Sequence, residues 1–135
     1  MFGSDRIAKV PTVKSAFLVT LESYPPKIAI RVVGEAPTGG WNPEGRLIEY
    51  IYFIPPVDGI YEFDFVTESP GPGSIEPQVI TPISALYVID SIPTGFMGVK
   101  VIGSENSVVA KLDDPSISFS SAKLFSLGVR TSGGG

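Results

Sequence analysis

Glycine and proline cut this chain into short apolar runs, and that punctuation decides what it can fold into. The 13 Pro and 15 Gly fall between stretches in which apolar residues recur every second position. Proline withholds a backbone donor and glycine supplies turn conformations, so each cluster ends an element. Short strands survive that spacing and long helices do not. The pattern predicts an all-β chain.

The pattern is clearest in the middle. Residues 27–34 (KIAIRVVG) put Ile28, Ile30 and Val32 on one face and Arg31 on the other, facing outward. Residues 35–45 hold Pro37, Gly39, Gly40, Pro43 and Gly45, and read as a loop. Residues 46–54 (RLIEYIYFI) are aromatic and β-branched, with only Glu49 charged beyond the leading Arg46, so a strand covered on both faces is expected. Pro55, Pro56, Asp58 and Gly59 make a turn. Residues 60–67 then alternate again, with Tyr61, Phe63 and Phe65 inward and Glu62 and Asp64 outward. These two strands are the best hairpin in the sequence.

Further strands flank this centre. Residues 13–22 form one before the break at Ser23-Tyr24-Pro25-Pro26. Residues 78–80 start another, which Pro82 interrupts and residues 84–89 resume. Residues 97–102 and 107–112 make a hairpin with Val99 and Val101 on one face and Lys100 opposite. The count predicts an Ig-like antiparallel β-sandwich of seven or eight strands, with a partly open β-barrel as the alternative. Residues 1–12 read as a polar lead-in and 13–115 as the sandwich domain. Residues 116–135 read as an apolar arm with a Gly tail. Ile117, Phe119, Leu124, Phe125 and Leu127 make that arm too apolar for a solvated linker. It is either an eighth strand or a segment that adds to a neighbouring subunit.

Histidine and cysteine are both missing. That removes the commonest general base, the usual zinc ligands, thiol nucleophiles and disulfides. No catalytic residue, metal site or cofactor is expected. Between positions 47 and 99 there are seven acidic residues and no Lys or Arg, a local charge of −7, whereas the flanks carry a net +3. Nucleic acid needs clustered basic residues and is not an expected partner. The split suits a basic protein or head-to-tail contact between copies, that is, a homo-oligomer. No apolar run approaches a membrane span and no leader is visible, so no membrane partner and a cytoplasmic setting are the expectations.

The working surfaces expected from these residues are the loop Pro37, Thr38, Gly39, Gly40 and Trp41, and the C-terminal arm. Glycines admit a partner's backbone and an exposed Trp is a favoured anchor, although Trp41 would serve equally by folding back over the core. Asp58, Glu62, Asp64 and Glu68 offer carboxylates for a hydrolase or a calcium site, or form a solvated stripe that discourages edge pairing. Five tyrosines (Tyr24, Tyr50, Tyr52, Tyr61 and Tyr87) would line a groove or belong to the core.

Two stretches, Gly34-Glu35-Ala36-Pro37-Thr38-Gly39-Gly40-Trp41 and Pro55-Pro56-Val57-Asp58-Gly59-Ile60-Tyr61-Glu62-Phe63-Asp64-Phe65-Val66, resemble a group of small uncharacterised bacterial all-β proteins. Gly98-Val99-Lys100-Val101-Ile102, followed by Glu105-Asn106-Ser107, is similar to their C-terminal hairpin. That resemblance implies a fold and no activity. Ala36-Pro37-Thr38-Gly39-Gly40 and Gly71-Pro72-Gly73 also resemble, in order, two of the three loops of chagasin-type cysteine protease inhibitors, Ig-like sandwiches that present those loops to the protease cleft. The third loop's Arg-Pro-Trp has no counterpart, since Pro93-Thr94-Gly95-Phe96 stands in its place. The expected function is therefore a non-enzymatic protein-binding or self-assembly module, with a chagasin-like inhibitor and a carboxylate hydrolase as alternatives.

Overall fold

The computed structural model describes residues 6–71 and 73–112. The arm residues Ile117, Phe119, Leu124, Phe125 and Leu127 lie outside the described residues. Among the described residues there are eight strands: β1 (Ile7–Lys9), β2 (Thr12–Leu21), β3 (Lys27–Ala36), β4 (Arg46–Glu49), β5 (Ile60–Glu68), β6 (Thr81–Ile89), β7 (Gly98–Ile102) and β8 (Ser107–Lys111). They form two sheets, not a closed barrel. One holds β2, β3 and β6, and the other holds β1, β4, β5, β7 and β8.

β5 is the hub of the larger sheet. β4 and β1 both stand opposite Val66, so they occupy opposite edges of β5. β4 and β7 share Phe63 and Asp64 in the same way, which puts β7 on the edge of β1. Alternation along β5 sends Phe63 and Phe65 into the core, both nearly inaccessible to solvent. They meet Ile28, Ile30 and Val32 of β3, also buried, while Arg31 is exposed as its position predicts.

Four features depart from the reading of the sequence. β1 lies inside the supposed lead-in, and Val10 behind it is fully buried, its N–H donating to the Phe65 carbonyl at 2.8 Å. Glu35 and Ala36 extend β3 into the supposed loop. β6 runs unbroken through Pro82 because proline's missing donor falls on the strand edge turned away from β3. Finally, β5 and β7 pair in parallel, not antiparallel. The intervening β6 belongs to the other sheet, so the chain leaves and re-enters the larger sheet in the same direction.

The two sheets are stitched at their margins. The Asn106 side chain accepts from the Val13 N–H at 2.7 Å and donates to the Val13 carbonyl at 3.0 Å. It thereby serves as a strand partner where β2 bulges between Val13 and Ser15. On the far margin, Gly45 N–H donates to the Ser84 carbonyl and Ser84 N–H to the Pro43 carbonyl, joining the start of β4 to β6.

Candidate functional site

The run expected to form a long strand stops after four residues. β4 ends at Glu49, although residues 50–54 have the composition of a strand. The cause is a side chain. Tyr50 N–H still donates to the Glu62 carbonyl at 3.0 Å, but the Glu62 N–H donates to the Tyr52 hydroxyl at 3.0 Å. A phenol has taken the place of the Tyr50 carbonyl, and the ladder cannot continue past it. Pro55 and Pro56 follow without donors. The tight turn closes with Gly59, whose φ is +74°, and with Asp58 accepting from the Ile60 N–H at 3.0 Å.

Residues 50–57 therefore stand off the sheet. Ile51 is 90%, Phe53 104%, Ile54 78% and Val57 105% exposed. The expectation that both faces of this run are covered is overturned. Four large apolar side chains in one segment exceed the scattered exposure of ordinary surfaces.

The early end of β4 also leaves the sandwich open at this end. A cleft of about 380 Å³ lies there, its walls including Glu49, Tyr50, Tyr52, Tyr61 and Phe96. The Tyr52 and Tyr61 rings meet edge to face at 86° with centroids 5.5 Å apart. Phe96 stacks on the other side of the cluster, 24° from the Tyr61 plane at 5.8 Å. Tyr52 borders a second hollow as well, larger at about 590 Å³, with Asp58, Glu62, Met97, Lys100 and Val109. Of the five tyrosines, Tyr50, Tyr52 and Tyr61 line the cleft, whereas Tyr24 is fully exposed in the turn after β2.

Carboxylate–phenol pairs border the opening. The Tyr87 hydroxyl donates to Glu49, and its ring packs edge-on against Phe63 at 5.2 Å. That hydrogen bond, then burial, then the negative charges of Glu49 and Asp90 push the Tyr87 hydroxyl up to about 12. The Tyr50 hydroxyl donates to Asp64 at 3.0 Å and is raised in the same sense by that bond. Asp64 also faces Lys9 at 3.6 Å. A raised pKa means the folded chain holds the neutral phenol more tightly than the unfolded chain does. The Tyr87 contribution is thus complete below pH 10 and lost as pH rises to about 12. The thermal midpoint is expected to fall across that window, and Tyr87→Phe to make the fall shallower; parallel pH profiles for the two proteins would contradict it.

The loop singled out in the sequence is tied down. Gly39 N–H donates to the Pro77 carbonyl at 2.9 Å, and Thr81 Oγ1 donates to the Thr38 carbonyl at 2.8 Å. Trp41 is half-buried, packs on the core and donates its indole N–H to Thr38 Oγ1 at 3.2 Å. Pro37 and Gly40 are exposed, with Gly40 at φ +85°. The Pro37–Trp41 loop thus offers turn backbone, and its Trp folds back. It lies at the end of the sandwich where Ala36 pairs with Thr81, next to the loop containing Gly71 and Gly73. The turn Pro93-Thr94-Gly95-Phe96 lies at the opposite end, beyond the Ile28–Ile89 pair. The two loops that resemble those of the protease inhibitors therefore lie at one end of the sandwich, and the turn that stands in place of the third lies at the other.

The acidic residues do not converge. Asp58 caps its turn, Asp64 is engaged by Lys9 and Tyr50, and Glu62 and Asp64 alternate along β5. Among the described residues no group of three or more His, Cys, Asp or Glu is placed to hold a metal ion. No helix among them is long and apolar enough to cross a membrane. The residues missed from the sequence are Ile51, Phe53, Ile54 and Val57. Their one visible signal is an apolar run on both alternating faces that ends directly in Pro-Pro. Comparison with family models, with curated proteins and with solved structures gives no match.

Proposed function

We propose that this chain is a non-enzymatic binding module that associates with copies of itself through residues 50–57. The observation that carries the reading is the group of four large apolar side chains held clear of the sheet. Tyr52 and the two prolines fix the segment's path, so little ordering entropy opposes its docking. Phe53 and Ile54 supply the apolar anchors typical of interface centres. The separation of an acidic middle from basic flanks supports head-to-tail approach of two copies.

The test is solution mass by light scattering. The protein is expected to be larger than a monomer, and Phe53→Ser with Ile54→Ser to weaken association by about thirtyfold or more. Both side chains are exposed, so the doubly substituted chain is expected to unfold at nearly the parent's denaturant midpoint. A parent protein that stays monomeric at the highest soluble concentration would refute the proposal.

A further inference from the structure

We infer that the cleft between Tyr52, Tyr61 and Phe96 is a binding site for an alkylated ammonium group. The inference goes beyond self-association and does not depend on it. The walls supply two kinds of attraction for such a group. Tyr52 and Tyr61 stand nearly at right angles, 86° with centroids 5.5 Å apart, so they present an aromatic corner and not a flat stack. Phe96 backs Tyr61 and is itself buried, which holds that ring in place. Tyr52 is held by the hydrogen bond that its hydroxyl accepts from the Glu62 N–H. Ring faces carry negative potential and attract cations, most strongly when water is displaced.

The wall also carries the carboxylates of Glu49 and Glu62, that of Glu49 oriented by the Tyr87 hydroxyl. Among the described residues no Lys or Arg lines the cleft. A bare metal ion keeps its water too tightly to exchange it for rings, and a primary ammonium gives up more hydration than a methylated one to do so. A neutral apolar group would gain nothing from Glu49. An ammonium carrying methyl groups answers both features: its carbons pack on the rings while its charge faces the carboxylate. The volume of about 380 Å³ is ample for one such group and a short chain beyond it.

Choline and its uncharged carbon isostere dimethylbutanol separate the charge from the shape. Choline is titrated into the full chain while the tyrosine ring resonances are followed by NMR. Saturable shifts at Tyr52 and Tyr61 are expected, with a Kd on the order of millimolar, and binding of the isostere about tenfold weaker. Tyr61→Leu is expected to abolish saturation. Glu49→Gln, which keeps an acceptor for Tyr87 at an exposed position, is expected to weaken choline severalfold and leave the isostere unchanged. Equal binding of the two probes would overturn the inference, as would choline shifts that miss Tyr52 and Tyr61 or an absence of saturation. Because the Phe53→Ser, Ile54→Ser protein retains every cleft residue named above, its choline binding separates failure of this site from failure of self-association.

Discussion

Phe65→Ala is expected to destabilise the protein by about 3–5 kcal/mol, the largest effect of any single side-chain truncation considered. The ring is completely buried on β5, at the centre of the contacts between the sheets. Total stability of a domain this size is about 5–15 kcal/mol, so the loss is a large share of it. Phe53→Ala removes the same atoms from a side chain in full contact with water and is expected to change stability by no more than about 0.5 kcal/mol. Denaturant unfolding of the two variants at low protein concentration checks the contrast. Equal midpoints would mean that Phe53 is packed or that Phe65 is not.

Gly34→Ala is the second large effect, expected to cost about 3 kcal/mol. A Cβ at Gly34 would collide with the Thr12 carbonyl oxygen and come to 2.8 Å from Cε2 of Phe65. The first obstacle is backbone in the adjoining strand and cannot rotate away. Gly45 borders the same ring from its other side, with Cε1 of Phe65 2.9 Å from where its Cβ would be. The Phe65 ring thus occupies a slot bounded by two glycines. By contrast, a Cβ at Gly73 meets nothing within 4 Å, and Gly73 is constrained only by its φ of +78°. Thermal unfolding of Gly34→Ala is expected to show a much lower midpoint with the β signal intact before melting; an unchanged midpoint would contradict the packing described.

Local alternation was enough to locate β2, β3, β5, β7 and β8, because a strand with one buried face writes a period of two into its residues. Three things were beyond its reach. Ile7–Lys9 is too short to show a period, and it forms a strand only because the distant second half of β5 has a vacant edge. The parallel pairing of β5 with β7 depends on which sheet receives β6, and no local pattern encodes that choice. The early end of β4 depends on Tyr52 competing for one backbone donor, against the strand propensity of every residue around it.

The same limits apply to the site. Gly45 read as loop punctuation and Gly34 as the last residue of a strand, and both are clearance for a ring. Trp41 satisfied the composition of a contact residue, yet a hydrogen bond to Thr38 and the apolar core hold it in. Phe53 and Ile54 had the composition of core residues and stand exposed to solvent. Composition reported apolar area correctly in each case. Which area remained outside was decided by hydrogen bonds that composition does not encode, such as those of the Tyr52 hydroxyl with Glu62 and of the Trp41 indole with Thr38.

The most direct measurement is a dilution series followed by backbone amide NMR on the full chain. Self-association through the segment predicts concentration-dependent shifts concentrated at residues 50–57 and at their neighbours across β5. Those shifts should be absent from the Phe53→Ser, Ile54→Ser protein. Shifts that cluster elsewhere, or a spectrum independent of concentration, would contradict the assignment of this segment as the contact surface.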